Sequence, residues 1–271
     1  MTKINKEKLF EFYNQNENYF KLAEQGNVEG AIFPIHKEIL DKCKKRKGLI
    51  VDLGCGTGLN VLAMAGQNNF CLGLDISQLA VNQALKKAEG KKNINFKQAN
   101  LEQLPMKDNS AEVITSFFVF EHLLNLEKVL QEIDRVLKPG GEIFLLCPNF
   151  ASPFRSAPPL GGVRKIKMLR KALFLIWRMM EVYIFRKKNF YLKKIDLSLL
   201  RLDSRKSDSD AVNEPWSFEL RNYFKRKGYF IEVKTWVSDI KTKIEQLFSH
   251  FYFMPIIKHW GPICYLYARK K

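Results

Sequence analysis

The stretch VDLGCGTGLN, residues 51–60, constrains this chain more than any other. A run apolar except for Asp52, Leu49 to Leu53, leads into glycines at every second position, Gly54, Gly56 and Gly58, and then into an apolar helical pattern, LNVLAMAG. A strand, a glycine turn and a helix N-terminus in succession bring backbone N–H groups close to a ligand. Glycine serves where the turn needs unusual dihedrals or where a side chain would hold the ligand away. The dinucleotide fingerprint GxGxxG requires glycine where Leu59 stands, and the phosphate-binding GxxxxGK[ST] requires a lysine that does not follow. Asp52, at the strand's end, would repel an anion and suits a ligand carrying positive charge.

The same rhythm continues downstream. FCLGLD (70–75) reads as a second strand, followed by a helix capped by Ser77; INFKQA is a third strand and AEVITSF (111–117) a fourth. An amphipathic helix, LEKVLQEIDRVL, runs to the stop KPGG and a fifth strand, EIFLLCPN. Continuous apolar strands alternating with helices predict an α/β fold, its parallel sheet covered on both faces. Asp75 ends the second strand, 17 residues past Gly58, where nucleotide-binding α/β folds accept hydrogen bonds from ribose hydroxyls. Loop and acids together ask for a nucleoside with a cationic group and no phosphate. S-adenosylmethionine, with its sulfonium and ammonium, meets that description.

At this point four segments, VDLGCGTG, LGLDIS, ANLEQLPMKDNSAEVITSFFVFEHL and RVLKPGGEIFLLCPN, carry a resemblance. In order and spacing they resemble the motifs of class I S-adenosylmethionine-dependent methyltransferases, closest to the small-molecule and lipid branch that includes quinone-biosynthesis enzymes. The resemblance covers residues 45–150 well and 211–271 loosely. It implies a Rossmann-like, seven-stranded, mostly parallel sheet with the last strand antiparallel. It implies that Gly54, Gly56 and Gly58, with Cys55, pass under the cofactor, and that Asp52 faces its methionine part. Asp75, with Ile76 beside it, would hold the ribose. Asn100 stands where the family usually has Asp touching the adenine amino group, and Leu101 would pack on the adenine. Ser116 and Phe117 would offer backbone to the methionine ammonium.

Between residues 151 and 210 the rhythm breaks. This segment carries 15 Lys and Arg against 5 Asp and Glu, much of the chain's formal net charge of +17. The organisation expected is an N-terminal helical segment covering the site (1–46), a cofactor-binding core (47–150), a basic apolar insertion (151–210) and a C-terminal completion of the same sheet (211–271). The insertion's RKIKMLRKALFLIWRMMEVYIFRKK, residues 164–188, has cations at both ends and an apolar centre interrupted by Arg178 and Glu181. If helical, it sets Leu169, Leu173, Ile176, Met180 and Ile184 on one face. It is a lid over the acceptor pocket or a contact with an anionic membrane surface, while core packing is the default for Leu169, Leu173 and Ile176 alone. SDSDAV (207–212) reads as a solvated hinge.

Methyl transfer is in-line displacement at an activated carbon, so alignment and exclusion of water matter most. A base is needed only where the acceptor holds its proton near neutral pH. His122, in FEHL, stands where the resemblance puts the rim of the transfer pocket and is the candidate base. His259 reads as structural, His36 and His250 carry no signal, and Tyr13 and Tyr19 read as packing residues on a segment that in relatives folds over the cofactor. A quinone-methyltransferase group binds metal through E-x-x-E-H; here Phe118 replaces the first acid and leaves Glu121 and His122, so no metal is expected. Five cysteines without a CxxC pair, no signal-peptide pattern and no long apolar run suit a cytoplasmic protein, peripheral at most to the inner membrane face.

The expected function is methyl transfer from S-adenosylmethionine to a small, apolar or lipid-linked acceptor at O, C or N. A nucleic-acid methyltransferase, which the positive charge invites, is disfavoured by SFFV in place of [DN]PP[YF] after the fourth strand and by Cys147 preceding Pro148. A catalytically silent cofactor-binding scaffold is the third reading. Oligomeric state is not legible.

Overall fold

The computed structural model describes residues 6–28, 34–161, 165–200, 202, 208–236, 247, 249–251, 254 and 257–271. Three helices, α1 (Lys6–Gln15), α2 (Glu17–Val28) and α3 (Pro34–Lys44), precede the first strand. The βα alternation follows as β1 (Gly48–Leu53), α4 (Leu59–Met64), β2 (Asn69–Asp75), α5 (Gln78–Lys87), β3 (Ile94–Gln98), β4 (Ala111–Phe117), α6 (Leu126–Val136) and β5 (Leu137–Pro148). Then come α7 (Lys165–Tyr183), the two-residue strands β6 (Lys193–Lys194) and β7 (Asn213–Glu214), α8 (Ser217–Arg226), β8 (Phe230–Trp236) and β9 (Ile263–Arg269). The stretch read as a helix around 239–250 falls largely outside the described residues.

Seven strands form one sheet in the order β3-β2-β1-β4-β5-β9-β8. β9, last in the chain, runs antiparallel between β5 and β8, while β1 to β5 are parallel. This is the Rossmann-like α/β arrangement expected. The reason is visible in burial: Ile50, Val51, Leu53, Ile114, Leu145 and Leu146 are all buried, as strands covered by helices on both faces require. α6 lays Leu126, Val129, Leu130, Ile133 and Val136 on one face against the sheet; α3 does the same on the other face with Ile35, Ile39 and Cys43. Local caps agree with the sequence: the Ser77 hydroxyl accepts from Ala80 N, and Asn125 accepts from Lys128 N.

The strand order reverses between β1 and β4, and in open α/β sheets ligands bind outside the carboxyl ends of the strands at that switch. Two pieces from outside the sheet meet beside it, and a third packs on α8. Leu9 of α1 packs with Leu200 and Val212 of the segment that returns from the insertion, so the chain's start and the insertion's end share one small apolar cluster. α7 lies on α8 through Leu175 and Met179, which pack with Trp216, Phe218 and Trp260. A buried ion pair fixes that contact, Arg178 Nε donating to Glu219 Oε1 at 2.6 Å.

Candidate active site

Gly54, Gly56 and Gly58 adopt φ of 72°, 51° and 85°, the left-handed region that favours glycine. Two of them are also required by packing. A Cβ at Gly54 would lie 2.4 Å from a Val119 methyl, and one at Gly58 would lie 2.5 Å from the Phe96 ring. A Cβ at Gly56 would meet nothing within 4 Å, so this glycine borders open space above the loop. The loop is pinned from below: Gly54 N and Cys55 N donate to Leu74 O at 2.7 and 3.0 Å. Gly56 N donates to Asp75 Oδ2 at 2.8 Å and Ser77 N to Asp75 Oδ1 at 2.9 Å. Asp75 therefore shapes the loop, which the sequence did not reveal; a carboxylate has lone pairs beyond those two for ribose hydroxyls.

Asp52 is buried at the end of β1. Its Oδ1 accepts from Thr115 Oγ1 at 2.6 Å, while Oδ2 is buried without a hydrogen-bond partner. Burial pushes its carboxyl up to about 7, against the Thr115 bond and with help from the Asp75 charge. An orphaned buried carboxylate oxygen beside an open glycine loop fits a ligand that brings a cation and donors, as S-adenosylmethionine does.

The other expected cofactor residues gather around the same crevice with differing roles. The Ser116 hydroxyl donates to Leu53 O at 3.0 Å, tying β4 to β1, and Phe117 packs its ring on His36, centroids 4.5 Å apart. His36 is thus an element of this site that the sequence left unmarked; burial lowers its pKa. The Cys55 thiol is turned into the core cluster beneath the loop, so Cys55 offers a ligand its backbone alone. Leu101 is buried in the core and Ile76 is half-buried. Asn100 is exposed, its Oδ1 accepting from Glu102 N at 2.9 Å. Phe118, just past β4, holds φ at 57°, a strained value for an aromatic residue.

His122 ends a single 3-10 turn, Phe120–His122, directly after β4. The returning insertion clamps this turn: Val212 N donates to Glu121 O at 2.8 Å, and Asn213 Nδ2 to Phe120 O and Leu123 O at 3.0 and 2.8 Å. The clamp delivers acids to the histidine. Nδ1 of His122 lies 3.1 Å from Asp210 Oδ2, and Nε2 lies 3.7 Å from Glu121 Oε1 and 3.9 Å from Asp208 Oδ1. The expectation of a solvated hinge at 207–212 is corrected here, since Asp210, Ala211 and Val212 are buried in the site's wall; Ser207 lies outside the described residues. Burial alone would lower the His122 pKa, but Asp210, then Glu121 and Asp208, outweigh it and lift it to about 10. Burial lifts Glu121 to about 8.

α1 completes the cluster. Tyr13 donates its hydroxyl to Asp210 Oδ2 at 2.6 Å, and its carbonyl accepts from Ser77 Oγ at 2.8 Å, so one residue touches both the proposed ribose acid's cap and the histidine's acid. Tyr13 and Tyr19 meet edge to face at 5.5 Å, and burial followed by the nearby acids holds both phenols protonated. The reading of these tyrosines as mere packing is corrected. Glu121, His122 and Asp208 also each offer a donor atom, all within 4.8 Å of one another. The case against a metal rested on two ligands in sequence; the fold brings a third from the insertion. His259, as expected, is structural: it is buried, with Nδ1 2.9 Å from Ser217 Oγ, far along the chain in α8's support.

Comparison with known proteins shows what this chain is similar to. A family model described as a methyltransferase domain matches residues 51–145, the span from β1 through most of β5. Over residues 51–145 the chain is similar to methyltransferase domains. The chain is 34% identical over 166 residues to a demethylmenaquinone methyltransferase of Lactococcus lactis, covering 56% of this chain and 62% of that protein. It is 27% identical over 148 residues to a ubiquinone biosynthesis O-methyltransferase of Coxiella burnetii, covering 54% and 63%. It therefore spans just over three fifths of the length of these relatives. The fold of the chain resembles that of the YcgJ protein of Bacillus subtilis, with a TM-score of 0.56 at 16% identity over 88% of this chain and 99% of that one. An S-adenosylmethionine-dependent methyltransferase from Mesorhizobium loti gives 0.55 at 17% identity over 86% and 96%.

Proposed function

We propose that the whole chain is an S-adenosylmethionine-dependent methyltransferase acting on a small apolar acceptor whose nucleophile is an acidic hydroxyl. The observation that carries this reading is the His122 cluster standing between the β4 end and α1. Held between Asp210 on Nδ1 and two acids near Nε2, His122 is charged at neutral pH. An imidazolium cannot take a proton; it can donate Nε2–H to an acceptor oxygen and hold that oxygen as its anion. This reading replaces the general-base role expected from sequence: the site selects acceptors that ionise readily, such as phenols and enols. The bound cofactor supplies the electrophilic methyl group. Asp52 balances its positive charge, Asp75 and Gly56 hold the nucleoside, and α1 with the returning insertion walls the pocket from water. The names of the two relatives support a quinone-type acceptor, and that of the Coxiella protein, an O-methyltransferase, supports transfer to oxygen.

The reading is tested by incubating the protein with methyl-tritiated S-adenosylmethionine and a cell extract, then separating solvent-extractable molecules from nucleic acid and protein. Label in the extractable fraction, lost in His122→Gln, is expected. Label in RNA or DNA would transfer the chain to the nucleic-acid class, and no label anywhere would leave a silent scaffold.

The donor set of Glu121, His122 and Asp208 favours one second reading, a divalent cation held there to bind the acceptor oxygen. Thermal melting of chelator-treated protein with added magnesium, manganese or zinc separates the two. A cation-dependent rise in melting temperature that Asp208→Asn removes supports the cation; unchanged melting supports the imidazolium.

A further inference from the structure

α7 is built inside out. Its charged residues Arg178 and Glu181 are buried, Arg178 bonding to Glu219 and Glu181, whereas a row of its apolar residues faces water. Ile166, Leu169, Leu173, Trp177, Met180 and, one residue past the helix, Ile184 are exposed, from 44% at Met180 to 63% at Ile166. They follow each other at steps of 3, 4, 4, 3 and 4 residues. That spacing draws one straight line along a helix, about 27 Å long at 1.5 Å per residue. The default of core packing for Leu169 and Leu173 is thereby overturned; Leu175 and Met179 take that place instead.

The stripe cannot turn inward. Arg178 is locked to Glu219, and Lys171 Nζ donates to Glu214 Oε1 at 2.8 Å and to Phe150 O at 2.6 Å. A line of large apolar side chains on a rigid, ion-paired helix marks an interaction surface. We propose that this face docks the protein onto an anionic phospholipid surface.

Charge complementarity selects that occupant. Exposed Lys167 and Arg170 flank the start of the stripe, and exposed Arg186, Lys187 and Lys188 follow its end. The one acid within residues 165–188 is Glu181, which is buried and paired to Arg178 and Lys187. A helix with an apolar stripe between cationic ends lies in the headgroup boundary, its stripe among the acyl chains and its cations against anionic lipids. Trp177 and Tyr183, both exposed, are side chains suited to that interface. A second copy would instead bring like-charged helix ends and another net +17 against the first. No helix among the described residues is long and apolar enough to cross a membrane, so the contact is with one leaflet. This inference stands apart from the methyl-transfer reading, and its test reads binding alone.

The test is flotation of the full chain with phosphatidylcholine vesicles that contain or lack phosphatidylglycerol. The wild-type protein is expected to float with the anionic vesicles and to float less as salt is raised. Leu169→Gln with Leu173→Gln should cut the partition coefficient by about tenfold or more while melting at an unchanged temperature, since both residues are exposed. The blue shift of tryptophan emission on vesicles should vanish in Trp177→Phe. Wild-type protein left in solution would overturn the proposal. So would equal flotation of the double variant, which would mean adsorption by charge elsewhere, or a self-association in sedimentation that the double variant abolishes, which would make a second copy the occupant.

Discussion

At the residue scale, burial shifts Asp52 up and His259 down, and each shift gives a pH dependence. The Asp52 carboxyl, raised to about 7 in the free protein, is half-protonated near neutrality, and a cationic ligand favours its ionised form. Binding of S-adenosylmethionine should therefore tighten as pH rises from about 5 to 7, by up to about tenfold per unit for one proton, and then level off. In Asp52→Asn that dependence should disappear from calorimetric titrations. His259 is buried neutral, its pKa lowered to about 3 by burial and then by Lys258 and Arg221. The unfolded chain binds a proton there below its ordinary value of about 6.5, so stability is whole above that pH and lost as pH falls towards 3. Between pH 7 and 5 the wild type should lose about 2 kcal/mol more than His259→Gln in urea unfolding.

Residue by residue, what sequence made legible was what is local. Asp52, the three glycines and Asp75 lie within one βαβ unit, where spacing alone sets their relation. Tyr13, His36 and Asp210 carry no motif. They reach the site from helices before β1 and from the insertion's return, and nothing short of the packed fold places Asp210 3.1 Å from His122. Asp75's hold on Gly56 N was hidden for the same reason: that hydrogen bond depends on the loop's left-handed turn.

At the scale of elements, the strands and helices of the core were legible because continuous apolar runs and caps report directly on burial. α7 was legible as a helix but not as an oriented one. Its apolar residues surround the axis, and Arg178 and Glu181 read as blemishes in the pattern; they are the anchor. Removing one partner of a buried pair strands the other. Arg178→Ala, which leaves Glu219 unpaired in the core, should cost about 3–5 kcal/mol in unfolding free energy. Arg178→Met combined with Glu219→Leu should restore most of that loss, showing that α7 is held by geometry more than by net ionic attraction. The glycine loop offers the matching case: Gly58→Ala meets the Phe96 ring and an unfavourable φ, whereas Gly56→Ala meets only the φ cost. The first should lower stability, and the second should mainly weaken ligand binding, as read by melting with and without S-adenosylmethionine.

At the scale of the molecule, a core that matches a methyltransferase domain over residues 51–145 carries two additions that meet beside it. The N-terminal helices bring Tyr13, the insertion's return brings Asp210, and the insertion's main helix turns an apolar stripe outwards. On the proposed reading, an enzyme for apolar ring acceptors would gain from resting where such molecules dissolve, and the +17 charge would serve that lipid contact. The central claim is that the crevice above Gly56, bounded by Asp52 and Asp75, is made for S-adenosylmethionine. Calorimetric titration of the purified chain with S-adenosylmethionine and its demethylated product, alongside Asp75→Ala, tests it most directly. The account predicts saturable binding with proton release below pH 7, weakened in the variant by about 1–3 kcal/mol for the lost buried hydrogen bonds. Absence of saturable binding by the wild-type chain, with or without anionic vesicles, would contradict it.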